Sequence, residues 1–496
     1  MIESDGVSDA VPSSQLKDHL TIFVNGKRHM VRGLDAFRPL TDWLRYDLHL
    51  TGTKVVCAEG DCGSCTVMIG RGVDGRIAYA PVCGCIQYLL QLDGAHVVTI
   101  EGLKYAGGLN PVQQAFVECH GAQCGFCTPG FVVAVHSLLE PSSEAIDACA
   151  VKRSLTGNLC RCTGYEPILN AVEGVDRAAV QSVDALFPPE TILEEMTAAA
   201  REGVLIAAGG RSFFKPVTIR QAVEFRAGNP GCAIIAGGTD LGVQMNKGMR
   251  TPMSILSTAA LPDWQWLDVS NDAITFAGGV TLSVVQDVLR EEIAECAEFL
   301  EWFGSPQIRN AGTLAGNLAN ASPIGDMLPP LMVLDAEIIL TGATCERAVS
   351  INDFYTGYRQ TVMRNDELIT GVRVPRPAEG DVFRLYKVSK RKDLDISTFS
   401  AAVWMQMCGG QIIDCRLAYG GVGPTVVRLR KTEALLRGRP LDDETLDELQ
   451  ETVLSEITPI SDVRGSDSYR NLLAVNVLRR LALEMASGDA GSSKPV

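Results

Sequence analysis

The sequence predicts a multidomain α+β protein, and three observations support this. Its 496 residues exceed what one hydrophobic core fills, since single cores stop growing at roughly 250 to 300 residues. Strand-like alternation near the N-terminus gives way to helical patterns and then to mixed ones. Of the 16 cysteines, 11 fall between Cys57 and Cys162, and Cys232, Cys296, Cys345, Cys408 and Cys415 are scattered over the remainder. The first third of the chain is therefore chemically distinct.

With 46% apolar and 21% charged residues, the chain has the composition of a globular protein. Its net charge of −15 argues against a nucleic-acid partner, which normally requires a basic face. Met1 to Lys17 is polar and lacks the apolar core of a signal peptide, and no later stretch approaches the roughly 20 apolar residues of a membrane span. A soluble, cytoplasmic protein with no membrane partner is expected. A reducing cytosol keeps thiols reduced, so the clustered cysteines point to metal rather than disulfides.

Residues 1–18 read as a flexible polar leader. A first domain, 19–102, opens with a strand at Leu20–Val24 and a hairpin turn at Asn25-Gly26. It continues with a helix over Thr41–Leu48 and strands at Thr66–Ile69 and Val97–Ile100. Residues 103–183 are all-α: Thr128-Pro129 signals a helix over Gly130–Glu140, and Pro167 opens another. The Pro188-Pro189 pair predicts an extended or flexible linker over 184–200. A third domain, 201–378, shows strand patterns at Cys232–Ala236 and Ala273–Phe276 between helical stretches. A fourth, 379–486, has strands at Ala401–Met407 and Ile412–Ala418 and helices from Thr445 and Asn471. The polar tail 487–496 is expected to be disordered.

The first cysteine motif is Cys57-x4-Cys62-x2-Cys65, a spacing of the plant-ferredoxin kind. A 2Fe-2S rhomb needs four thiolates, and three from one tight loop cannot surround it, so a fourth must come from elsewhere. Cys83 and Cys85 compete for that position, and local physics leaves them nearly even. Gly60 and Gly63 let the loop fold around inorganic sulfide, and its main-chain N–H groups can donate to the sulfurs. The second motif pairs Cys124-x2-Cys127 with Cys160-x-Cys162. The 32 residues between the pairs suffice for two antiparallel helices that return one pair to the other. Structural zinc is the alternative for paired cysteines, and the neighbouring ferredoxin-type triplet favours iron-sulfur chemistry. Cys119 and Cys149 receive no role. His96, His120 and His136 read as surface positions.

Two small-residue loops follow. Ile234-Ile235-Ala236-Gly237-Gly238-Thr239-Asp240-Leu241 runs from an apolar strand into a turn whose glycines would let main-chain N–H groups approach a pyrophosphate. By itself such a loop is usually only a turn. Arg309 to Asp326 is richer in small residues and in hydroxyl and amide donors, and two such loops can grip one dinucleotide. Gly420-Gly-Val-Gly423 lacks a following helix signature and reads as a turn. Without other information, Phe303 reads as core and Lys387 as a solvated surface residue.

Cys57 to Cys65, Gln123-Cys-Gly-Phe-Cys-Thr-Pro-Gly130 and Gly157-Asn-Leu-Cys-Arg-Cys-Thr-Gly-Tyr165 closely resemble the molybdenum hydroxylases, over about residues 19 to 485. The likeness is to the separate small subunit that combines iron-sulfur and FAD portions. It implies a β-grasp 2Fe-2S ferredoxin domain, a four-helix 2Fe-2S domain, a vanillyl-alcohol-oxidase-type FAD domain and an α+β C-terminal flavoprotein domain. Cys85 to Gly102 matches the family without gaps, which implies Cys85 as the fourth ligand.

The resemblance further implies FAD contacts from the Ile234–Leu241 loop, from Thr313, Leu314, Ala315, Gly316, Asn317 and Asp326 at its phosphates and sugar chain, and from Phe303, Ile369 and Lys387 at the flavin. A lysine there would stabilise the anionic reduced flavin. Molybdopterin is expected only in a large partner subunit, in an assembly of two heterodimers. Electrons would run from xanthine or hypoxanthine at molybdenum, through the helical cluster and then the ferredoxin-like one, to FAD and NAD. Family members also use aldehydes, carbon monoxide or aromatic thioesters, and some pass electrons to oxygen. The one-chain arrangement and Pro459-Ile-Ser-Asp-Val-Arg-Gly465 favour the xanthine-oxidising type. A zinc-binding scaffold with an empty flavoprotein-like domain is the alternative of another class.

Overall fold

The computed structural model describes residues 16–140 and 146–487, so most of the expected leader and nearly all of the tail lie outside the described residues. The chain divides into two compact units, with the division between Asp263 and Trp264.

The first unit opens with a five-stranded sheet in the order Lys27–Arg32, His19–Val24, Ala95–Val98, Thr66–Val73, Arg76–Cys83. Its one parallel pair sets Ile22 opposite Ala95, with antiparallel neighbours outside. The helix Leu40–Tyr46 buries Leu40, Trp43 and Leu44. This is the β-grasp arrangement. Asn25 and Gly26 stand at φ 49° and 78°, the left-handed pair that a tight two-residue hairpin requires. Four helices follow: Pro111–Glu118, Thr128–Leu139, Ala148–Ser154 and Glu166–Glu173. Their shared core includes Phe116, Phe131, Val135 and Ile168. The Asn110 side chain caps the first of them by accepting from the Gln113 N–H at 2.8 Å.

The segment expected as an extended linker is instead the helix Pro189–Ala200. Pro188 is its N-cap and Pro189 its first residue, where a missing N–H costs nothing and a fixed φ favours the helix. The proline pair thus starts an element rather than breaking one. Ile192 and Met196 pack on Phe23 and Ile77 of the first sheet. A buried ion pair adds to this join: Lys215 donates to Asp93 at 2.7 Å and to the Ala199 carbonyl at 2.7 Å, while Asp93 also accepts from the Thr21 N–H at 2.8 Å. Lys17, within the expected leader, bridges to Val204. A four-stranded sheet, Val204–Ala208, Arg211–Lys215, Ser254–Ser257, Ala233–Ile235, completes the unit.

The second unit contains an antiparallel sheet ordered Leu267–Val269, Ala273–Ala277, Leu368–Pro375, Glu337–Thr341, Glu346–Ser350. Helices that include Leu282–Glu292, Ala294–Glu301 and Leu328–Val333 contribute to its core. A second antiparallel sheet, Val382–Val388, Phe399–Cys408, Gln411–Gly420, Val427–Arg428, shares a core with Asp443–Ser455 and Asp467–Ala486. Among the described residues, no helix is long and apolar enough to cross a membrane.

Two histidines expected on the surface are fully buried, His96 and His136; His120 is exposed as expected. The Gly26 N–H donates to His96 Nε2 at 3.0 Å, which leaves the ring proton on Nδ1, 2.7 Å from the Tyr79 hydroxyl. Burial pushes both histidines down to about 4 from the usual 6.5. Between those values the unfolded chain binds more protons than the folded one. Stability is therefore fully present above pH 6.5 and is lost as pH falls toward 4. Each site contributes on the order of 2 to 3 kcal/mol. Urea midpoints measured from pH 7.5 to 4.5 should fall in the native protein and fall less steeply in His96→Gln; equal slopes would contradict the assignment.

Candidate redox centres

Cys57 to Cys65 forms an irregular loop before the strand Thr66–Val73. Ala58, Gly60 and Gly63 take φ values of 55°, 80° and 67°, which turn the chain back on itself. The thiols of Cys57 and Cys62 are in contact, and Cys85 reaches both Cys57 and Cys65. Cys83 touches Cys65 and donates to the Gly60 carbonyl at 3.3 Å. Cys85 therefore meets two loop thiols and Cys83 one. The N–H groups of Glu59 and Asp61 donate to the Cys57 sulfur, the latter at 3.4 Å, and that of Ser64 to Cys62. Such donors suit a set of thiolates on iron.

The helical domain brings Cys124 and Cys162 to 3.5 Å, and Cys127 meets Cys160. The turn at Tyr165, φ 72°, returns the second pair, with the Cys160 N–H donating to the Tyr165 hydroxyl at 3.1 Å. Burial, with the Cys160 thiol beside it, pushes Cys127 up to about 12, and a cationic metal would reverse that. In the first set Cys57 meets Cys62 and Cys85, and Cys85 also meets Cys65; the second set forms the pairs Cys124/Cys162 and Cys127/Cys160. Two bridged irons fit this arrangement, whereas one zinc ion would need all four on a common centre.

The two sets are joined through backbone. The Leu159 N–H, next to Cys160, donates to the Cys62 carbonyl at 3.0 Å, and Asn158 Nδ2 donates to the Gly63 carbonyl at 3.1 Å. A Cβ on Gly63 would collide with the Gly157 carbonyl, and one on Gly130 with the Gly63 carbonyl. Only glycines allow so close an approach.

In the first unit, the loop after Ile234 and Ile235 rests on the ferredoxin-like domain. Gln91 Nε2 donates to the Ala236 carbonyl at 2.8 Å and Gln87 Nε2 to the Gly237 carbonyl at 3.0 Å. Gly238 stands at φ 74°, where a Cβ would press on the Gln91 amide. Thr239 is half-buried and Asp240 exposed, and Leu241 begins the helix Leu241–Asn246.

In the second unit, Thr313 caps the helix Leu314–Ala319 by accepting from the Gly316 N–H at 3.0 Å. Leu314 and Ala315 are buried and Gly316 is exposed. The buried side-chain oxygen of Asn317 has no hydrogen-bond partner. An unmet buried acceptor is costly, and a sugar-chain hydroxyl would satisfy it, so these residues fit the FAD portion the sequence suggests. Lys387 is not solvated. At 1% side-chain exposure it donates to Asp326 at 2.7 Å and to the Trp302 carbonyl at 2.9 Å, and Ser397 donates to the other Asp326 oxygen at 2.5 Å. Asp326 thus compensates the charge that a bound flavin was expected to meet. Phe303 is half-buried against the core of this unit, and its carbonyl accepts from Arg309 at 3.0 Å. Ile369 lies in that core.

Sequence reasoning missed Gln87, Gln91, Asn158 and Asn246. Their partners lie about 90 to 190 residues away in the chain, and an isolated amide side chain carries no local signal of such a contact.

Three family models match the chain: a [2Fe-2S] binding domain over residues 99–173, an FAD binding domain in molybdopterin dehydrogenase over 208–377, and a CO dehydrogenase flavoprotein C-terminal domain over 384–485. The chain is therefore an iron-sulfur flavoprotein. Xanthine dehydrogenase 1 of Arabidopsis thaliana is 30% identical, covering 90% of this chain and 38% of that protein. Xanthine dehydrogenase/oxidase of Gallus gallus is 31% identical, covering 86% and 37%. The chain thus spans less than two fifths of the length of these relatives. A solved CO dehydrogenase chain from Oligotropha carboxidovorans is 28% identical with a TM-score of 0.52, covering 56% of this chain and 97% of that one. In domain order and composition, the chain matches the iron-sulfur and FAD portions of molybdenum hydroxylases.

Proposed function

We propose that this chain carries electrons from a molybdopterin-binding partner subunit, which oxidises xanthine or hypoxanthine, through two 2Fe-2S clusters and FAD to NAD, as the small subunit of a xanthine dehydrogenase. Cys57, Cys62, Cys65 and Cys85 would hold one cluster, and Cys124, Cys127, Cys160 and Cys162 the other. The observation that carries this reading is the contiguity of the sites. Residues beside Cys62 and Cys160 are hydrogen-bonded to each other, and the segment after Cys85 is hydrogen-bonded to the first flavin loop. FAD, when bound, couples one-electron carriers to a two-electron acceptor. The chain's own residues position the carriers: Gly63 and Gly130 set the spacing of the cluster domains, and Gln87 and Gln91 hold the flavin loop. The exposed thiols Cys124 and Cys162 suit an entry point facing the partner, in an assembly of two heterodimers.

The names of the full-length relatives favour xanthine. Carbon monoxide is the second reading, supported by the solved dehydrogenase, although its match covers only 56% of this chain. The test is purification of the native complex, followed by metal analysis, a visible spectrum, and NAD reduction with xanthine, compared with carbon monoxide and aldehydes. Molybdenum, flavin and iron-sulfur bands and xanthine-dependent NADH are expected. A complex without molybdenum would sink the xanthine reading, and a colourless zinc protein would leave the scaffold.

A further inference from the structure

One short helix connects the first flavin loop to the first thiol site. Leu241–Asn246 begins directly after Asp240, and at about 1.5 Å per residue its six residues span roughly 9 Å. At its far end every polar atom of the Asn246 side chain is used. Nδ2 donates to the carbonyls of Cys85 at 2.8 Å and Ala58 at 3.0 Å, and Oδ1 accepts from the Tyr88 hydroxyl at 2.8 Å. The next residue, Lys247, donates to the Cys57 carbonyl at 3.0 Å and pairs with Glu59 at 3.1 Å. At the second residue of the helix, a Cβ on Gly242 would collide with the Ile86 carbonyl, so the start of the helix packs closely on the segment that follows Cys85.

We propose that Asn246 is a positioning residue for electron passage between the ferredoxin-like centre and the flavin, holding the main chain of two cluster-bearing segments at a fixed distance from the flavin loop. This rests on the proposed function. The Cys57 loop and the Cys85 segment are far apart in sequence, and one amide fixes both to the element that carries the flavin loop. Its N–H groups are directed at the carbonyl oxygens of Cys85 and Ala58 and offset the negative ends of those two main-chain dipoles beside the thiol-bearing residues. They favour the reduced cluster, which carries one more negative charge, and so raise its potential. A cluster held by Cys57, Cys62, Cys65 and Cys85 would supply one electron at a time to the flavin, its iron pair being oxidised by one electron as the flavin is reduced by one. Asn246 contributes geometry and field and takes no part in the covalent chemistry.

The test uses the native complex carrying Asn246→Leu and, separately, Asn246→Asp. The leucine variant keeps the volume and loses the donors and the acceptor. The aspartate variant keeps the acceptor for Tyr88 and sets a negative charge against two carbonyls. Iron and FAD content should stay at the native level. The electron paramagnetic resonance signal of the first cluster should shift, its midpoint potential should fall in leucine and further in aspartate, and its reoxidation by the flavin in rapid mixing should slow about tenfold or more, since small displacements of reacting groups carry penalties of that order. The second cluster's signal should stay unchanged. Native content with an unshifted signal, potential and rate in both variants would overturn the inference, as would loss of the first cluster's iron in both, which would mean a purely structural role. A native complex that holds no FAD would instead overturn the proposed function.

Discussion

Replacing Cys85 with serine should remove the ferredoxin-like cluster and about half of the bound iron, whereas Cys83→Ser should leave both clusters in place. Sequence spacing leaves the two cysteines nearly equal, and both thiols are buried, at 2% and 1% exposure. Contact separates them. Cys85 meets two loop thiols, Cys57 and Cys65, whereas Cys83 meets Cys65 alone and its hydrogen is directed to the Gly60 carbonyl. A thiolate beside that carbonyl would face an acceptor with no proton between them. Cys160→Ser should likewise remove the helical cluster and spare the other, since each set of four is drawn from its own domain. Iron analysis and the two resonance signals distinguish the variants. Loss of iron from Cys83→Ser with retention in Cys85→Ser would reverse the assignment.

The second large effect lies in the C-terminal half. Asp326→Ala leaves the Lys387 ammonium, 1% exposed, with the Trp302 carbonyl as its one remaining close acceptor among the described residues. Breaking a buried pair from one side costs about 3 to 5 kcal/mol. Thermal and urea denaturation of the variant should show a loss of that size, together with weaker FAD retention. Because the penalty comes from the stranded charge, Asp326→Ala with Lys387→Met should recover most of the stability. A single variant within about 1 kcal/mol of the native protein, or a double variant no better than the single, would count against a buried charged pair.

The local elements were legible because their signals are local. Alternation marks His19–Val24, a proline at the first turn marks Thr128–Leu139, and both thiol motifs show in their spacing. The Pro188-Pro189 segment was misread because the same residues that break a periodic pattern also favour a helix start, and only the apolar positions Ile192 and Met196 packing on the first sheet decide between the two. The buried histidines were misread for a related reason. A strand or helix position can face either way, and only the cover supplied by other segments, such as Phe187 against His96, settles it.

The sequence by itself determined two cysteine motifs, small-residue loops suited to a dinucleotide, and a net charge of −15. Those properties follow from residue type and spacing, which are fixed covalently. Tertiary structure alone decided that Cys85 meets two loop thiols and Cys83 one, that Lys387 is paired with Asp326, and that Asn246 ties the Cys57 loop and the Cys85 segment to the flavin loop. Each of these depends on side chains separated by tens to hundreds of residues meeting at hydrogen-bond distance, and spacing along a chain carries no information about that.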